Sequence, residues 1–173
     1  MTAATRGRKG IPKTLRWIPA LAVLLATTAG CGDNQPMNPT ITLTQAQTAA
    51  TDQIREATTG AFPPGFTLEE LTPQPLNCID SAGKPTGQVL IGVTFWINGL
   101  PTTQNNNAYY DALKTWWASH GWTLSTDSRP ADMFINATRD GYLMSLRANI
   151  NQRLAIGNST PCVWRNGTPS TSP

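Results

Sequence analysis

Three cysteines, one histidine and ten Asp and Glu residues are the side chains of this 173-residue sequence with the plainest chemistry. His120 is the only histidine and stands directly before Gly121. A hydrolytic triad needs its imidazole between a nucleophile and an orienting acid. No Gly-x-Ser-x-Gly or comparable context occurs. His120 reads instead as the last residue of a helix, where the helix dipole favours partial positive charge. Glu69 and Glu70 are adjacent, so on a strand they point to opposite faces. Asp127, Asp132 and Asp140 fall in turn-like sequence, where Asp bonds nearby backbone. Glycoside hydrolysis needs two carboxyl groups at a set separation, and nothing selects such a pair here. Phosphate-loop, calcium-loop and zinc-ligand spacings do not occur. A non-enzymatic chain without cofactor or metal is the expectation.

The thiols say more. Cys31 ends the stretch Thr28-Ala29-Gly30-Cys31, directly after an apolar run over residues 17–29. Arg6, Arg8, Lys9, Lys13 and Arg16 precede that run, and no acidic residue occurs before Asp33. A basic stretch followed by a short apolar one is the pattern of a secretory signal. The run is shorter than the roughly 20 residues of a membrane-spanning helix. Gly7 splits Arg6 from Arg8, so there is no twin-arginine signal. The Cys31 context looks like a bacterial lipobox, in which the thiol takes a thioether-linked diacylglycerol. The signal is then cut before the Cys, and the new amino terminus takes an acyl chain such as palmitate. Thr28 departs from the Leu commoner at that place. Residues 1–30 are read as a lipoprotein signal peptide and Cys31 as the lipidation site. The expected location is the extracytoplasmic face of a cell membrane.

Loss of the signal reverses the charge. The full chain is formally +3, but five of its thirteen Lys and Arg lie in the signal. Eight remain against ten Asp and Glu, a net charge of −2. The mature chain therefore has no basic balance to suggest a nucleic-acid partner. With Cys31 lipidated, Cys78 and Cys162 are left as a pair. In a secreted domain such a pair reads as a disulfide.

The aromatic residues are the candidates for binding. Trp96, Trp116, Trp117, Trp122 and Trp164 all lie beyond the signal. Flat apolar rings with a polar edge suit sugar rings and lipid alike. Trp96, Trp116, Trp117 and Trp122 are taken as a candidate ligand surface, with core packing as the bland alternative. Trp116 and Trp117 are adjacent on a predicted helix, so only one is expected to point squarely inward. Asn136, Asn158 and Asn166 match the N-glycosylation pattern, which is usually unused in a bacterium.

These residues need elements to hold them. Residues 43–59 are predicted helical, with Leu43, Ala46, Ala50, Ile54 and Ala57 as an apolar stripe. Thr44 and Gln47 have capping-box spacing, and Gly60 with Pro63-Pro64 is expected to end the helix. A second helix is predicted over 107–120, with Tyr109, Leu113, Trp116, Trp117 and His120 on one face and Gly121 as its C-terminal glycine. Strands are predicted at 66–68 (weakly), 89–97, 122–124, 132–138, 142–147 and 152–156. Val89, Ile91, Val93, Phe95 and Ile97 alternate along one face of the strongest. Asp140-Gly141 suits a tight hairpin turn. The order α-β-β-α-β-β-β-β implies an α+β fold, an antiparallel sheet of about five strands covered by two helices. Residues 31–40 are read as a tether, 41–165 as the domain and 166–173 as a disordered tail.

This arrangement of elements resembles the small envelope lipoproteins of mycobacteria and their actinobacterial relatives, the LppA-like group among them. The likeness rests on Gly30-Cys31, a first helix, Cys78 before a long strand, His120-Gly121-Trp122 and Pro161-Cys162. It implies an α+β domain held at the cell envelope and carries no catalytic residues across. The expected role is a binding or scaffolding domain whose partner is an envelope lipid, glycan or protein. The alternative is a carrier of lipid or another apolar ligand in a Trp-lined pocket.

Overall fold

The computed structural model describes residues 39–101 and 106–169. The expected signal peptide, Cys31, the expected tether up to residue 38 and the expected tail from residue 170 lie outside the described residues. Two helices, α1 (Leu43–Ala61) and α2 (Asn107–Ser119), accompany six strands. The strands are β1 (Thr67–Ile79), β2 (Pro85–Asn98), β3 (Thr123–Asp127), β4 (Phe134–Arg139), β5 (Tyr142–Ala148) and β6 (Leu154–Ser159). They form one antiparallel sheet in the order β1-β2-β6-β5-β4-β3. The α+β class and the element order match expectation, with six strands where about five were expected. No helix among the described residues is long and apolar enough to cross a membrane.

The predicted stripe of α1 is its buried face. Most of that stripe is alanine, which lets the helix lie close to the sheet. The capping box sits two residues earlier than expected. Thr42 accepts from the Gln45 N–H, and Gln45 Oε1 accepts from the Thr42 N–H at 2.9 Å. Gly60 does not end the helix. It lies within the last turn, and Phe62 leaves in extended conformation ahead of the two prolines. The α2 prediction ends one residue late: His120 is the cap, and Gly121 follows with φ 75°.

Strand β2 alternates as predicted, with Val93, Phe95 and Ile97 buried. The register places Phe95 opposite Ile156, Ile156 opposite Leu146 and Leu146 opposite Ile135. This row packs with Ala50, Ile54, Leu113 and Trp117 in the main core. The buried Asn158 ties β6 to α1, donating to Ala50 O and to Gln53 Oε1 at 2.7 Å. Asp140 and Gly141 turn the β4–β5 hairpin with positive φ at both residues, as their sequence requires.

The first strand is far longer than the predicted residues 66–68. Consequently Cys78 lies inside β1 and not beyond it. It is bonded to Cys162, 84 residues on. The bridge ties the β1–β2 hairpin to the segment after β6. The two ends of the domain meet by other means: Thr40 N–H donates to Gly167 O, and Leu43 N–H to Arg165 O. Gly167 is buried, so the folded domain continues past residue 165, where the tail was expected to begin.

Candidate functional site

Successive side chains on a strand point to opposite faces. One face of this sheet packs against the helices; the other carries no helix among the described residues. The register across that open face runs Glu69, Trp96, Ala155, Arg147, Phe134. Beside it runs Leu71, Thr94, Gly157, Ser145, Asn136. The middle of the face is built from small residues. Trp96 and Arg147 rise at the end of the sheet beside the β5–β6 turn.

Trp96 is half-buried and held in place by its neighbours. The Arg153 guanidinium lies 4.3 Å from the indole centroid, a cation–π contact. Arg153 is itself fixed, donating to Glu69 Oε2 at 2.8 Å and to Asn98 Oδ1 at 3.1 Å. The turn is also braced. Asn149 Oδ1 accepts from the backbone N–H groups of Asn151 and Arg153, both at 2.9 Å. Gln152 takes a positive φ of 60°. Ile150, at the tip, is 97% exposed. Trp96, Arg147, Ala148, Asn149 and Ile150 together line an open cleft of about 360 Å³.

The other three tryptophans of the expected ligand surface are core residues, which corrects that expectation. Trp116, Trp117 and Trp122 are 7%, 1% and 4% exposed. Trp117 points at the sheet, its Nε1 3.3 Å from Met144 Sδ. Trp116 is buried as well, because α1 roofs it at Gly60 and the His120 ring stacks on it at 4.0 Å. Two adjacent helical tryptophans are thus both enclosed, Trp117 by the sheet and Trp116 by α1. Trp122 lies under Arg139. These rings fill the space between sheet and helices where a carrier's Trp-lined pocket was expected.

The titratable residues do not converge. His120 Nδ1 lies 2.8 Å from Trp116 O. Asp140 is in the hairpin turn, and Asp132 donates its backbone N–H to Ser128 O. Among the described residues, Asp127 is the one strongly perturbed carboxylate. Arg129 bonds both its oxygens, Nε and Nη2 each at 2.8 Å, and Lys114 adds a contact at 2.7 Å. Those bonds, Arg129 foremost, hold its carboxyl well below the usual range. Arg129 also reaches Asp111 at 2.9 Å and lies over the Tyr110 ring. Burial pushes the Tyr110 hydroxyl up to about 12, and it donates to Met133 O at 2.6 Å. This network fastens α2 to the end of β3. Asp127 stands opposite Ile135, on the helix side, so it is not part of the Trp96 cleft.

Sequence reading found Trp96 and missed Arg147, Asn149, Ile150 and Arg153. A signal for Arg147 existed. It alternates with Leu146 after a recognisable hairpin turn, which puts it on the uncovered face. Nothing in the sequence marked the turn at 149–152 as a neighbour of Trp96. No family model, curated protein or solved structure matches the chain.

Proposed function

We propose that this chain is a lipid-anchored envelope protein, held by Cys31, whose domain is a non-enzymatic binding module with its ligand site at Trp96. The anchor rests on the basic stretch, the apolar run and Thr28-Ala29-Gly30-Cys31. The observation that carries the binding role is Trp96 itself. It stands partly exposed on the helix-free face, braced by Arg153 and lining a cleft. A glycan is the ligand class that fits best. The cleft is open and shallow, with an indole and Ile150 beside polar Asn149 and Arg147. Sugars present such mixed faces, and flat rings suit them.

The placement of the cleft supports this reading. The chain enters the domain at Thr40, whose hydroxyl accepts from the Trp164 N–H. Neighbouring Val163 pairs with Val89 at the far end of β2. Trp96 lies seven residues along that strand, roughly 23 Å at about 3.3 Å per residue. The cleft is therefore at the opposite end of the sheet from Thr40, where the chain enters the domain.

The test is calorimetric titration of the purified mature protein in detergent against a panel of envelope oligosaccharides. Binding that weakens about fivefold or more in Trp96→Ala is expected, given the worth of a ring contact. A panel without a single binder would end the glycan reading.

A further inference from the structure

The charges around the Trp96 cleft narrow its ligand further, and this step rests on the glycan reading above. Arg153 is committed to Glu69 and Asn98. Arg147 makes no ion pair among the described residues; its guanidinium lies 6.0 Å from the Phe134 ring centroid. The cleft thus keeps one uncompensated positive charge, in a mature chain of net charge −2. Arg147 and Trp96 are separated by one strand, with the small Ala155 between them. Two strand spacings are about 10 Å, a gap that takes one pyranose ring with its substituents. Asn149 Oδ1 is engaged within its turn. Its amide NH2 makes no hydrogen bond among the described residues, so a donor remains at the cleft wall.

We propose that the cleft binds an acidic saccharide. The sugar ring lies on the indole face not taken by Arg153, and its carboxylate or phosphate group is held by Arg147. Guanidinium matches either anion with paired N–H donors. Braced as it is, the indole needs little ordering when ligand arrives, which favours affinity.

Three probes test this by calorimetry on the mature protein in detergent at low salt: galacturonate oligomers, neutral galactose oligomers of equal length, and galactose phosphate. Tighter binding of either anionic probe than of the neutral one, by about three- to tenfold, is expected, and the preferred anion identifies the acidic group. Arg147→Gln should abolish that preference, weakening the anionic probes several-fold more than the neutral one. Trp96→Ala should weaken all three, with Trp96→Phe restoring part of the binding and thermal melts checking that each variant folds. Equal binding of acidic and neutral probes, unaltered in Arg147→Gln, overturns the charge assignment while leaving the glycan site standing. No binding of any probe overturns both.

Discussion

A methyl group added at Gly60 would stand 2.6 Å from Trp116 Cδ1 and closer still to Nε1. Helix propensity alone favours Ala over Gly by about 1 kcal/mol. Here the neighbour decides the sign, because Trp116 is enclosed and has nowhere to retreat. Gly60→Ala is expected to destabilise by about 1–3 kcal/mol, the usual range for overpacking. Urea unfolding measures it, and a stabilised variant would show that the indole yields. The glycine was visible in the sequence, but its purpose was not. Near a helix end a glycine reads as a terminator unless the tryptophan above it is known. Asp127 makes a second case at this scale. Its folded carboxyl binds a proton more weakly than the unfolded one. Below the ordinary carboxylate range, near 3.9, the unfolded chain therefore holds more protons. Its stabilising contribution is complete above that range and fades as pH falls through it. Asp127→Asn should cost about 1 kcal/mol at neutral pH after allowance for solvent screening. The difference from wild type should shrink as unfolding is repeated from pH 5 toward pH 2. A gap that stayed constant with pH would assign the loss to packing.

Strands β1 and β2 pair along most of their length, yet β2 was legible almost whole and β1 only weakly at its start. β2 has a core face, so its apolar residues alternate. β1 is an edge strand with almost every residue exposed, and an unburied strand has no hydrophobic period to read. Pro73 and Pro75 obscure it further, though an edge strand tolerates proline because one side needs no ladder hydrogen bonds. They accompany a register shift between Leu71 and Gln74. What holds β1 is the β2 backbone along its length and Cys78 near its end. The disulfide was readable by cysteine count, but its mechanical role required the true length of β1. A bridge across 84 residues stabilises by about 4–5 kcal/mol at most in the chain-entropy model. Cys78→Ser with Cys162→Ser is expected to lower stability by about 2–4 kcal/mol, read by denaturant unfolding. Hydrogen exchange should rise most at the tip of the β1–β2 hairpin, beyond the Val89–Val163 pairing. Exchange that rose equally in α2 and β4 would mean that the bridge supports the whole core.

At the scale of the molecule, the proposed anchor and the folded domain are expected to be separable. The Thr40 and Gly167 backbones bond to one another, and Leu43, Ala46, Val89, Ile91 and Val163 close a small second core beside them. None of these contacts draws on Cys31. The proposed anchor at Cys31 is legible in the sequence, but which side of the sheet stays open is not. Trp116, Trp117, Trp122 and Trp164 lie buried and Trp96 does not, and their spacing carries no information about what packs over them. Cys31→Ser therefore gives a clean separation. Each buried methylene contributes about 0.8 kcal/mol to membrane attachment, and a single acyl chain holds only marginally. Two or three chains on one cysteine give durable attachment, and none gives almost no attachment. The variant should lose incorporation of a fatty-acid probe and leave the membrane pellet. It should keep the Cys78–Cys162 bridge and unfold at the wild-type temperature, because the domain closes without residue 31. Undiminished labelling would remove the anchor from the proposal. A lowered melting temperature would instead reveal that the segment before Thr40 contributes to the fold.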